Sequence, residues 1–209
     1  YTYDSSGNIC ETRYGNGSST SITYDSHGEA IIATDAEGHQ SFTKCYYDFK
    51  NLIGQNVKYK EMIDALGNVT MIICDALSRP VIHIRKDCMG MITQRYEIAY
   101  DLNGNKCSVT DIIFSGSNVR MVTNKIIYNA LNQPIACHEA VGTPEEKITQ
   151  IHYNGYGQKI ICQKADGTSL NHKYDALGRL TFLYSSDQTV HYAYTYDLNN
   201  LPIKVIDVV

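Results

Sequence analysis

The chain has 209 residues, 43% of them hydrophobic and 19% charged, with a formal net charge of −4. That is enough apolar matter for a sizeable core, and the lack of any basic cluster excludes a nucleic-acid partner. No apolar run reaches the length of a membrane span and residue 1 is Tyr, so the sequence reads as an interior piece of a longer protein, without membrane insertion by this segment.

From the N-terminus onward one unit recurs: an aromatic residue, Asp or Asn, two variable residues, then Gly or Asn. Its members are Tyr3-Asp4, Tyr24-Asp25, Tyr47-Asp48, Cys74-Asp75, Tyr100-Asp101, Tyr128-Asn129, Tyr153-Asn154, Tyr174-Asp175 and Tyr196-Asp197. Successive Asp or Asn positions lie 21, 23, 27, 26, 28, 25, 21 and 22 residues apart. Residues 1–209 therefore form a single array of about eight repeats with no separate second domain.

Each unit has the chemistry of a hairpin turn. Asp or Asn at the first position accepts backbone N–H bonds from residues further on. The closing residue needs positive φ, supplied by Gly7, Gly28, Gly104, Gly157 and Gly178, and by Asn51, Asn132 and Asn200. Ser78 fits that place less well and marks an altered turn. Between these come turns of a second kind at Gly15-Asn16-Gly17, Asp35 to Gly38, Asp64 to Gly67, Asp87 to Gly90, Ser115 to Asn118, Gly142-Thr143-Pro144, Asp166-Gly167 and Ser185-Ser186-Asp187.

Two turns per repeat imply two strands per repeat. The strands alternate, as in Val190, Tyr192, Tyr194 and Tyr196, and the residue two before each repeat tyrosine is nearly always apolar. One sheet face thus carries tyrosines beside isoleucines. The predicted fold is all-β: meandering antiparallel hairpins, about 18 strands, in a sheet that curves or spirals because twist keeps so many strands from lying flat.

The units Tyr174-Asp175-Ala176-Leu177-Gly178-Arg179-Leu180 and Tyr100-Asp101-Leu102-Asn103-Gly104-Asn105, with Ile63-Asp64-Ala65-Leu66-Gly67-Asn68 at a turn of the second kind, resemble the YD repeat of RHS proteins. That family includes bacterial polymorphic toxins, the C component of insecticidal toxin complexes and the teneurins. The resemblance implies a β-strip spiralling into a hollow shell that is secreted or held at a cell surface, more often bacterial. It implies as partners the rest of a parent RHS protein and an enclosed C-terminal toxin or effector domain. The alternative it leaves open is an adhesion or carbohydrate-binding module, with glycans or a cell-surface protein as partner. No Asp-Pro-x-Gly shell-closing motif stands in this stretch, so self-cleavage is not placed on it.

No catalytic, metal or cofactor residue is expected, and the fragment reads as a non-enzyme. Asp101 to Asn105 has a faint calcium-loop look but lacks the sixth-position Gly and the distal Glu. Seven His are scattered; His172 and His191 fall near tyrosines, within reach of a hydrogen bond. Seven Cys without a CxxC read as small buried hydrophobes, with disulfides and metal as the lesser readings. The tyrosines either pack with their hydroxyls on the backbone or offer a row of rings to a ligand. The stretches near Tyr1 and from Val205 to Val209 read as open strand edges able to pair with another chain.

Overall fold

A computed structural model describes residues 1–51, 53–115 and 118–207. The centre of the expected turn from Ser115 to Asn118, and the last two residues of the expected C-terminal edge, lie outside them. Eighteen strands and no helix are found among the described residues. They are β1 (Thr2–Tyr3), β2 (Ile9–Arg13), β3 (Ser19–Tyr24), β4 (Ala30–Thr34), β5 (Gln40–Lys50), β6 (Asn56–Ile63), β7 (Val69–Cys74), β8 (Pro80–Lys86) and β9 (Ile92–Tyr100). The others are β10 (Lys106–Ser115), β11 (Asn118–Tyr128), β12 (Pro134–Glu139), β13 (Lys147–Tyr153), β14 (Lys159–Gln163), β15 (Ser169–Tyr174), β16 (Leu180–Ser185), β17 (His191–Tyr196) and β18 (Pro202–Asp207).

Where the sequence suggests one array, the contacts gather into two compact units. The first is Tyr1–Ala99 with Thr110–Met121, the second Tyr100–Val109 with Val122–Val209. In the first, each strand from β1 to β9 pairs antiparallel with the next. In the second, β11 to β18 do the same. β18 pairs with β17 and is exposed along its length.

Turns of the first kind carry a feature the periodicity does not show. The tyrosine before the turn pairs with the first residue after it, as Tyr24↔Ala30, Tyr153↔Lys159 and Tyr174↔Leu180, and one extra residue then enters the following strand. Such a β-bulge follows the turns headed by Asp4, Asp25, Asp75, Asn129, Asn154, Asp175 and Asp197. Register runs straight through the turns that join β2–β3, β4–β5, β6–β7 and β14–β15. Bulges bend and twist a strand, and these fall almost entirely beside turns of the first kind. The exception is a shift at Arg85/Lys86.

Buried matter is sparse. Among the described residues the buried hydrophobic side chains are Val57, Tyr59, Cys74 and Ile112, all in the first unit. Tyr59 is stacked on Tyr46 (5.4 Å between centroids) and tilted against Phe49 (5.1 Å). In the second unit the one buried residue described is Ser185, whose Oγ accepts the N–H of Val190 at 3.0 Å. Facing pairs such as Ile151↔Cys162 and Ile126↔Cys137 give its tyrosine face partial cover instead.

The cysteines are all free, but only Cys74 is buried; Cys88 sits exposed in a turn. The reading of all seven as buried hydrophobes is corrected accordingly: offset along a repeat does not bury a thiol when the sheet has a single layer. Burial pushes the Cys74 and Cys137 thiols up from their ordinary value. Reaction of the native protein with a thiol reagent, mapped by mass spectrometry, should therefore label Cys88 first and Cys74 and Cys137 last.

Candidate functional site

The chemistry-bearing residues of the repeat meet at the turns. Twelve five-residue turns among the described residues share one geometry. They are headed by Asp4, Asp25, Asp35, Asn51, Asp64, Asp75, Asp87, Asp101, Asn129, Asn154, Asp175 and Asp197. The head N–H donates to the carbonyl of the fifth residue, and the fourth residue's N–H donates back to the head carbonyl. The head side-chain Oδ1 accepts the N–H of the third residue and that of the fifth, as Asp4 does from Ser6 and Asn8, both at 2.9 Å. Asp64, Asp101, Asn154 and Asp197 repeat the arrangement. Two N–H groups that the ladder cannot pair are thereby satisfied.

The fourth residue is left-handed in every one of these turns, with Gly at φ +78° to +88° in most. Asn132 and Asn200 take φ 59° and 65°. Ser78 takes φ 61°, and its turn keeps both backbone bonds, 2.8 and 3.0 Å, so it is not the altered turn that its residue type suggests. The turn at Tyr14 lacks an acidic or amide head; there Asn16 Oδ1, two places on, accepts the N–H of Ser18. The turn at Lys164 solves the same problem with Asp166 and Thr168.

One assignment is corrected. Tyr47 and Asp48 do not head a turn but lie inside β5, at a bulge where Tyr46↔Tyr59 gives way to Phe49↔Val57. The turn opens at Asn51, and Gly54 (φ 79°) closes it. Glycine takes positive φ without steric cost, whereas a turn headed by Asp48 would place Asn51 there. Asn51 therefore opens this turn rather than closing one. Tyr47 contacts His27 (5.3 Å between rings) and the Lys58 ammonium (5.5 Å).

Repeat tyrosines tie successive turns together. The hydroxyls of Tyr24, Tyr128, Tyr153, Tyr174 and Tyr196 donate to the carbonyls of Ile9, Lys106, Pro134, Lys159 and Leu180, at 2.8–3.0 Å. Each acceptor is the first residue after the preceding turn, and at Ile9, Pro134, Lys159 and Leu180 it stands just before the bulge position. Of the two roles open to these rings, the five hydroxyls take the backbone one. Burial also pushes the Tyr128, Tyr153 and Tyr174 hydroxyls upward in pKa, so they remain donors.

The fifth residue of the turn is the part that residue-by-residue reading missed. Under five of the Asp heads it is an amide or a cation that returns a second bond: Asn8, Asn68 and Asn105 Nδ2, and Arg79 and Arg179 Nε, donate to the head Oδ2 at 2.8–3.0 Å, whereas under Asp25, Asp87 and Asp197 it is Glu29, Met91 and Leu201. Under Asn51, Asn129 and Asn154 it is Gln, which accepts from the head amide at 2.8–3.1 Å. This pairing, Asp with Asn or Arg at five heads and Asn with Gln at all three Asn heads, is present in the sequence four places beyond the head.

In the second unit the same residue reaches on to the next turn. Asn105 donates to Asn132 Oδ1 (2.8 Å), Gln133 to the Gly157 carbonyl (2.8 Å), and Gln158 to the Gly178 carbonyl (3.0 Å). Arg179 donates to Asn200 Oδ1 (3.0 Å) and lies 4.9 Å over the Tyr196 ring. Five turns are thus joined in one hydrogen-bonded rail. Its tips present Leu102, Leu131, Tyr156, Leu177 and Leu198, each at least 71% exposed.

These bonds hold the head carboxylates below their ordinary pKa of 3.8. The Asn8, Asn68 and Asn105 amides do so at Asp4, Asp64 and Asp101. The N–H groups of Glu29, His39 and Arg179 do so at Asp25, Asp35 and Asp175. At Asp75 burial pushes upward, but the Arg79 hydrogen bonds outweigh it. His83 and His172 are pushed down by burial, and their Nδ1 atoms have no partner. His83 stacks on Tyr96 at 4.5 Å, and the hydrogen bond considered for His172 is not made through Nδ1.

Among solved structures the chain is similar to the TcdB2-TccC3-Cdc42 crystal structure, at 13% identity and a TM-score of 0.38. It is similar also to TcdB2-TccC3 without its hypervariable C-terminal region and to the Photorhabdus luminescens Tc holotoxin pore with a mutated TccC3, both at 13% identity and a TM-score of 0.31. Each match covers 99% of this chain and 15% of the other, so the chain spans about a seventh of their length. No family profile matches the sequence, and no curated protein does.

Two measurements check the turn chemistry. A Cβ on Gly178 would stand 2.9 Å from Gln158 Nε2, whereas one on Gly167 meets nothing within 4 Å, at nearly equal φ (+80° and +85°). Gly178→Ala should therefore cost about 1 kcal/mol more than Gly167→Ala in urea unfolding, the worth of the displaced hydrogen bond. The second is acid unfolding. A histidine with a depressed folded pKa favours folding while neutral, so His83 and His172 should erode stability as pH falls below 6.5. Aspartates with depressed folded pKa values stabilise fully above the ordinary carboxylate range, and their share is lost as pH falls below 3.8. Asp101→Asn combined with Asn105→Gln installs the titration-free pair and should shrink only the second step.

Proposed function

We propose that this chain is a wall segment of a larger RHS-type β-shell, a scaffold that encloses another polypeptide and performs no catalysis itself. The observation that carries the reading is the single layer. A sheet is stable in water when one face is covered by another layer, yet Ser185 is the one buried residue described in the whole second unit. The chain exposes 13966 Å², against about 9,700 Å² for a folded monomer of its mass.

Two further features support the proposal. The rail of turns repeats one structural solution rather than building one special environment, as an acid–base pair would require. The head oxygen of every one of these turns accepts backbone N–H groups of its own turn, a structural use of the repeated residue. In the first unit, Phe42, Tyr46 and Phe49 lie 37–41% exposed on the same face as Tyr59 and await cover. The remainder of the parent protein and an enclosed effector domain are the partners the reading names.

Hydroxyl-radical footprinting of the isolated chain and of the full-length natural protein tests this. Phe42, Tyr46 and Phe49 should be labelled several-fold less in the full-length protein, while the turn tips Leu131 and Leu177 stay reactive. Equal labelling of that face in both would show that it encloses nothing.

A further inference from the structure

The turn that joins β2 to β3 stands apart from those headed by Asp or Asn. Tyr14 is at its head, so no head carboxylate or amide takes up the N–H groups of the turn. Asn16, in the third place, serves instead. Its Oδ1 accepts the N–H of Ser18 at 3.1 Å and the Ser18 hydroxyl at 2.7 Å. Asn16 is exposed, and its Nδ2 makes no hydrogen bond among the described residues. A Cβ on Gly15 or on Gly17 would meet nothing within 4 Å, so neighbours do not crowd the turn.

That arrangement has a chemistry of its own. The backbone nitrogen after an asparagine can attack the asparagine Cγ, and glycine hinders the approach least because it has no Cβ. The attack turns Oδ1 into an oxyanion, and donors already in place on that oxygen stabilise it. Oδ1 of Asn16 has two such donors, and its amide nitrogen, the leaving group, has no partner among the described residues. The sequence holds two other Asn–Gly bonds, Asn103–Gly104 and Asn154–Gly155. Asn103 Nδ2 is held on Asn132 Oδ1 at 3.1 Å. Asn154 is half-buried and tied at three points: Oδ1 accepts the N–H groups of Tyr156 and Gln158, both at 3.0 Å, and Nδ2 donates to Gln158 Oε1 at 2.8 Å. The Gly17 N–H donates to the Tyr14 carbonyl at 3.0 Å and the Gly104 N–H to that of Asp101 at 3.1 Å, so this bond must open at both and does not separate them. Gly155 donates no such backbone bond among the described residues, and there the restraint lies in the asparagine side chain.

We propose that Asn16 is a site of self-modification, where the Gly17 nitrogen cyclises onto Asn16 Cγ and leaves isoaspartate or aspartate in place of asparagine, ahead of Asn103 and Asn154. The bond from the Gly17 nitrogen to Cγ forms, the Cγ–Nδ2 bond breaks, and the Gly17 amide hydrogen departs with the side-chain nitrogen as ammonia. One water then opens the cyclic imide at either carbonyl, its hydroxyl staying on the new carboxyl carbon and its hydrogen returning to the Gly17 nitrogen. No oxidant, reductant or enzyme enters. Opening at the backbone carbonyl gives isoaspartate, which runs the chain through the side-chain carbon. That adds one methylene to a turn whose length is set by the bonds from Tyr14 N–H to the Ser18 carbonyl, 2.9 Å, and from Gly17 N–H to the Tyr14 carbonyl, 3.0 Å. Those bonds close the hairpin in which Glu11↔Ser21, Thr12↔Thr20 and Arg13↔Ser19 pair, so modification loosens it and adds a carboxylate at its tip. The site is independent of the scaffold reading, since it rests on a turn without an acidic or amide head.

Incubation of the 209-residue chain in mildly alkaline buffer, followed by peptide mapping with electron-transfer fragmentation to tell isoaspartate from aspartate, tests the proposal. In the folded chain the peptide holding Asn16 should convert several-fold faster than those holding Asn103 and Asn154, with isoaspartate the larger product. In urea the rates at these sites should draw together, because only the local sequence remains. Ser18→Ala removes one oxyanion donor and should slow the Asn16 site about fivefold to tenfold, the worth of one hydrogen bond. Asn132→Gly keeps a residue at ease with positive φ, frees the Asn103 amide, and should speed that site alone. The proposal is overturned if Asn103 or Asn154 converts as fast as Asn16 in the folded chain, or if Asn16 stays intact over a period in which the unfolded chain converts. An unchanged rate at Asn16 in Ser18→Ala, or at Asn103 in Asn132→Gly, overturns it equally.

Discussion

In each five-residue turn one side-chain oxygen accepts two backbone N–H groups for which the sheet has no partner. That bond pair fixes the length of the turn, because only the third and fifth residues lie within its reach. Fixed length forces the fourth residue into the left-handed region, where Gly is at ease and Asn or Ser is tolerated. In eight of these turns the fifth residue is an Asn, Arg or Gln whose side chain complements the head's second atom. An Asp head offers an acceptor, met by Asn68 or Arg179; an Asn head offers a donor, met by Gln133 or Gln158.

From that unit the structure propagates sideways. A bulge after seven turns of the first kind interrupts the ladder, and at Ile9, Pro134, Lys159 and Leu180 the carbonyl just before it accepts a tyrosine hydroxyl from the next hairpin. In the second unit the fifth residue of one turn also caps the fourth residue of the next. Cohesion thus resides in short-range polar bonds along an edge and in cross-strand pairs, not in a hydrophobic centre.

In the β5–β6 hairpin the unit slips by three residues. Tyr47 and Asp48 are absorbed into a bulge, the strands lengthen, and the region gathers the three best-buried side chains of β6 and β7: Val57, Tyr59 and Cys74. Nowhere else in the register from β1 to β9 does a tyrosine–aspartate pair stand without its turn. The lengthened hairpin thus holds much of the buried apolar packing among the described residues.

The sequence by itself determined the local structure. Alternation gave all-β strands, and the Asp or Asn heads with their Gly closers gave eight of the nine repeat turns and the consecutive antiparallel order, because those features depend on contacts within a few residues. Only the tertiary structure decided the rest. Whether Asp48 or Asn51 heads the third turn depends on which register lets Phe49 meet Val57 across the strand. That Ser78 closes an ordinary turn depends on the Asp75–Arg79 bonds, which outweigh the conformational preference of serine. The bulges, the tyrosine hydroxyl partners and the Gln158 cap over Gly178 all join residues from different hairpins. Spacing along a chain records periodicity, but which donor meets which acceptor across a sheet is set by register, and register is fixed only when every strand is in place.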